Sequence, residues 1–110
     1  MIRFERANIC AEDTAHHPIS IEMREDATLK ELVQYIMAYN EDGNPAIPNS
    51  GANIWWQLTY DKGTLAYVCD NRRDCSYANV PAETLLKDIP ITTMFAHPAE
   101  LPTNQPGGVW

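Results

Sequence analysis

The stretch TLKELVQYIMAYN, residues 28–40, constrains this chain more than any other. Leu29, Leu32, Val33, Ile36 and Met37 stand at i, i+3, i+4, i+7 and i+8, the spacing that gathers side chains into one apolar stripe on a helix. Thr28 followed by Glu31 matches a capping box, in which each side chain serves the other residue's backbone N–H. Asp26, just upstream, suits the positive end of the helix dipole. Gly43 and Pro45 rule out any helix beyond. One amphipathic helix must bury its stripe against another layer, and the rest of the chain reads mostly as strands.

Those strands flank the helix on both sides. MIRFERANIC places Ile2 and Phe4 on one face, and ISIEMRE alternates Ile19, Ile21 and Met23 against Ser20, Glu22 and Arg24. The polar AEDTAHHP between them, with Pro18, is a turn or loop, so the two strands pair as a hairpin. After the helix, residues 40–53 (NEDGNPAIPNSGAN) are turn formers apart from Ile47 and two alanines, which predicts a long surface loop. IWWQLTY then alternates Ile54, Trp56, Leu58 and Tyr60 on one face. DKG is a tight turn with Gly63 at its left-handed position, and TLAYVCD returns as the partner strand. NRRDCSYANV reads as a turn followed by a short strand. PAETLLKDI, with Pro81 at a first helical turn and Leu85, Leu86 and Ile89 as its apolar side, predicts one or two turns of helix. ITTMFAH is a last strand.

The expected fold class is therefore α+β: a mixed β-sheet packed on one main helix, plus one short helix. Residues 1–97 form a single domain and residues 98–110 a Pro/Gly-rich tail. The hairpin running into a helix through IEMREDATLKELVQYI, and ETLLKDIPITTMFA near the end, resemble the ubiquitin-like β-grasp superfamily. There, a short helix precedes a closing central strand. The long 40–53 segment and the extra residues at 68–82 depart from that family's pattern, and a generic α+β roll is the alternative.

Charge narrows the partners. Eight Lys and Arg against 15 Asp and Glu leave a net charge of −7, the wrong sign for a nucleic-acid or anionic-membrane surface. No apolar run reaches the roughly 18–20 residues of a membrane span, and the N-terminal segment lacks the apolar core of a secretory signal. Three cysteines, Cys10, Cys69 and Cys75, form no dense framework, as suits a reducing cytoplasm. Cys69 and Cys75 would close a hairpin if oxidised.

No catalytic or cofactor motif emerges. His16, His17 and His97 lack companions at a zinc-like spacing, and nothing local marks any cysteine as an activated thiolate. Glycine-rich phosphate loops and serine-nucleophile motifs are absent from the sequence. Cys69 shares its alternation with Leu65 and Tyr67 and reads as a core residue. The expectation is a non-enzymatic protein with no cofactor and no metal.

Three features suit a protein-binding role. Trp55 and Trp56 are strand neighbours and face opposite sides. If Trp56 is core, Trp55 either anchors a partner, as tryptophans at interfaces often do, or lies under the 40–53 segment. The doublets Glu25-Asp26 and Glu41-Asp42, with Glu12-Asp13, cap turns or together form an acidic face for a basic partner. Gly107-Gly108 is the third. The ubiquitin-like resemblance implies a tail activated and conjugated at such a diglycine, here after loss of Val109-Trp110. Otherwise, this segment is a Pro/Gly-rich terminus. The narrower expectation is a bacterial immunity-type or inhibitor protein that masks a toxin or enzyme; the alternative is a ubiquitin-like modifier matured at Gly108.

Overall fold

A computed structural model describes residues 1–7, 18–41, 44–47, 54–70, 75–78 and 81–100. The helix, α1 (Leu29–Ala38), starts where the capping box requires. Thr28 Oγ1 accepts from the Glu31 N–H at 3.2 Å, and the Thr28 N–H donates to Glu31 Oε1 at 3.4 Å. The N–H groups of Leu29 and Lys30 donate to the carbonyls of Thr84 and Ala82 at 2.9 and 3.0 Å. Those four N–H groups are the ones a helix leaves without an intrahelical partner, and all four are satisfied. A helix of ten residues is marginal alone, since roughly 12–15 are needed in water. Its stripe supplies what propensity does not: Leu29, Leu32, Val33, Ile36 and Met37 are all buried.

The stripe packs on a six-stranded sheet. Its strands are β1 (Ile2–Arg6), β2 (Ile19–Ile21), β5 (Trp55–Tyr60), β6 (Gly63–Cys69), β7 (Cys75–Ala78) and β8 (Thr93–Pro98), and β3 (Asn40–Glu41) with β4 (Asn44–Pro45) makes a separate two-stranded ribbon. The spatial order is β2-β1-β8-β5-β6-β7. First and last strands run parallel at the centre, with Phe4 opposite Met94 and Arg6 opposite Ala96, and every other pair is antiparallel. The fold is thus α+β with a mixed sheet on one helix. Ile2, Phe4, Ile21, Trp56, Leu58, Val68, Met94 and Ala96 meet the helical stripe in one core.

Gly63 holds φ at 118° in the β5–β6 turn, a backbone shape that glycine reaches without a Cβ clash. Asp61, in the same turn, accepts from Thr92 Oγ1 at 2.6 Å and from the Thr93 N–H at 3.2 Å. This ties the turn to the start of β8.

Two expectations need correction, and two others are met in a particular form. Residues 40–53 are not a loop throughout: Asn40 pairs with Pro45 and Glu41 with Asn44, and Ala46 and Ile47 are buried in the core. The Ala46 N–H donates to the Tyr39 carbonyl at 3.4 Å, so the ribbon folds back on the helix's end and delivers Ile47 inward. Residues 81–89 hold one turn of helix, the short end of the expected one or two turns, as a 3-10 turn at Leu86–Asp88. Their backbone is committed elsewhere: the Ala82 and Thr84 carbonyls cap α1, and the Leu86 N–H donates to the Ala27 carbonyl at 2.8 Å. Cys69 is fully buried, as its place in the strand pattern leads one to expect. The β5–β6 ladder shifts register after Leu58, leaving Leu65 as an extra residue, and such a bulge interrupts the alternation of the strand. Finally, the last strand runs through Pro98, and the Ala99 N–H still bonds the Trp55 carbonyl at 2.9 Å, so ordered pairing passes residue 97.

Candidate functional site

Alternation along each strand sends side chains to opposite faces. With Phe4, Met94, Ala96, Trp56 and Leu58 in the core, their strand neighbours Glu5, Phe95, His97, Trp55, Gln57 and Thr59 point away from the helix. The register sets these neighbours side by side. Phe95 lies between Glu5 and Thr59, and Gln57 lies between His97 and Tyr67. Phe95 is 39% exposed, a large apolar side chain left to solvent, and its ring stacks on His97 with centroids 5.9 Å apart. Trp55 is half-buried, neither sealed in nor fully displayed. Tyr67 and Cys69 are buried on this face without joining the core cluster. The face is therefore closed toward β6 and open around Phe95.

Polar groups around Phe95 are already engaged. Thr59 Oγ1 donates to the Phe95 carbonyl at 3.1 Å, and Gln57 Nε2 donates to Thr64 Oγ1. Arg3 and Glu5 form an exposed ion pair at 3.0 Å. A shallow depression lined by Thr59, Tyr60, Asp61, Thr93, Met94 and Phe95 opens beside the ring. The one carboxylate in it, Asp61, is held below the usual range first by the Thr92 hydroxyl, then by backbone N–H groups. A carboxylate kept ionised by such donors is a poor proton acceptor.

The sequence-predicted residues separate. Glu25 is exposed in the turn before α1. Asp26, in the same turn, is engaged by Arg24, whose Nε donates to Oδ1 at 3.0 Å, while a second Arg24 nitrogen reaches Glu31 at 3.1 Å. The hydrogen bond and charge of Arg24 hold the Asp26 carboxyl low. That doublet is partly neutralised by its own neighbour. Glu41 belongs to β3, and Asp42, Gly107 and Gly108 lie outside the described residues, as do Cys10, His16 and His17. Cys75 stands opposite Val68 in the ladder.

Phe95 escaped the sequence reading. The signal was present: in ITTMFAH, if Met94 and Ala96 point inward, Phe95 is an aromatic ring at the outward position.

Among the described residues, no group of three or more His, Cys, Asp or Glu side chains comes together to hold a metal ion, and no helix is long and apolar enough to cross a membrane. The helix N-terminus, with its N–H groups taken by Glu31, Thr84, Ala82 and Thr28, has none left for an anion. No family model, no curated protein and no solved structure matches this chain.

Proposed function

We propose that this chain is a β-grasp-type domain that works by binding another protein, with no chemistry of its own. The topology supports the first part. A hairpin enters the helix, and the last strand inserts at the sheet centre beside the first, in the order β2-β1-β8-β5-β6. The observation that carries the second part is Phe95, exposed and stacked on His97 on the sheet face the helix leaves uncovered. Half-buried Trp55 adds a second aromatic side chain on the same face. Aromatic anchors of this kind dominate interface energetics when a partner desolvates them. The net charge of −7 favours a partner with a basic surface, where complementary charge speeds encounter. An inhibitor or immunity-type protein, which masks a toxin or enzyme, fits this combination of small size, acidity and an aromatic face.

The test uses the full chain as bait in its native host, with identification of whatever co-purifies and titration of that partner. Phe95→Ala and Trp55→Ala should each weaken binding by about 2 kcal/mol, or roughly 30-fold, while leaving the domain folded. Raised salt should slow association. Unchanged affinity for both variants would remove the aromatic face from the reading. If the recovered partner is an enzyme whose activity the chain leaves intact, the inhibitor role fails while binding stands.

The β-grasp topology also favours a second reading, a ubiquitin-like modifier matured at Gly108. Intact-mass and peptide mass spectrometry of the native protein distinguishes the two. Loss of Val109-Trp110, or Gly108 in an amide link to a lysine, supports the modifier; an intact Trp110 on all recovered protein supports the binder.

A further inference from the structure

We draw no further inference here: the strongest candidate, the row of Trp55, Phe95 and His97 on the sheet face away from the helix, belongs to the surface already proposed to bind a protein, and nothing in the structure shows which occupant covers it.

Discussion

The two faces of the sheet are made by the same strands yet filled by different rules. On the helix side, every large residue has an apolar neighbour: Phe4, Leu58, Trp56 and Met94 are at most 2% exposed against the α1 stripe. On the other side, β8 leaves a phenylalanine ring partly open to solvent, and beside it stand an ion pair and a hydroxyl with partners of their own. Stability is concentrated on the first face because burial there is complete. At Phe95 the second face has less burial to lose, so truncation there costs less folding energy than in the core. A surface arranged that way is free to serve recognition.

The comparison breaks most visibly in the core. Leu32→Ala and Ile36→Ala should each cost about 2–5 kcal/mol, the range for large-to-small core truncations. Urea unfolding gives the number, and wild-type midpoints would mean the stripe does not face the sheet. On the open face, Phe95→Ala should cost about 1 kcal/mol of stability, less than either core truncation, while costing about 2 kcal/mol of partner affinity. A folding loss as large as that of Ile36→Ala would erase the distinction between the faces.

Smaller effects sharpen the picture at the helix start. Thr28→Ala removes the side-chain half of the capping box and should cost about 1 kcal/mol. Glu31→Gln, which keeps the reciprocal hydrogen bond but drops the charge near Arg24, should cost less. Thermal unfolding of both variants, ranked against each other, tests the reciprocal cap.

The smallest effect is acid-dependent. Asp61 and Asp26 both have folded pKa values below their unfolded ones. A carboxylate of this kind contributes stability that is fully present above its unfolded pKa, about 3.9, and is lost as pH falls through the lower folded value. Asp61→Asn should therefore lower stability at pH 7, and its deficit relative to wild type should shrink below about pH 4. An equal deficit at pH 7 and pH 3 would show that the negative charge on Asp61 plays no part in tying the turn to β8.

The elements were legible where periodicity was long and clean. The five-residue stripe of α1, its Thr28–Glu31 cap and the Gly63 turn needed only local rules, and each stands where those rules put it. Local rules failed where backbone groups were taken by distant partners. PAETLLKDI carries a helix-like pattern but makes only the single 3-10 turn Leu86–Asp88, since two of its carbonyls turn to the N-terminus of α1. NEDGNPAIP looks like solvent-facing turn, yet Ile47 is 1% exposed because the ribbon ahead of it folds back onto Tyr39. The candidate site divides the same way. Trp55 was visible as a residue out of phase with a core tryptophan. Phe95 was equally out of phase, but its prominence depends on the strands beside β8.

By itself, then, the order of residues determined that one amphipathic helix would start at Thr28, that strands would surround it and that the surface would be acidic. These follow from side-chain spacing and charge, which the chain carries whatever its fold. Only the tertiary structure decided that β8 inserts between β1 and β5, that a bulge interrupts the β5–β6 ladder after Leu58, and that Phe95 stays partly open to solvent. The reason is physical: strand order and register are set by hydrogen bonds between residues far apart in sequence, and a shift of one residue in register turns a buried side chain outward.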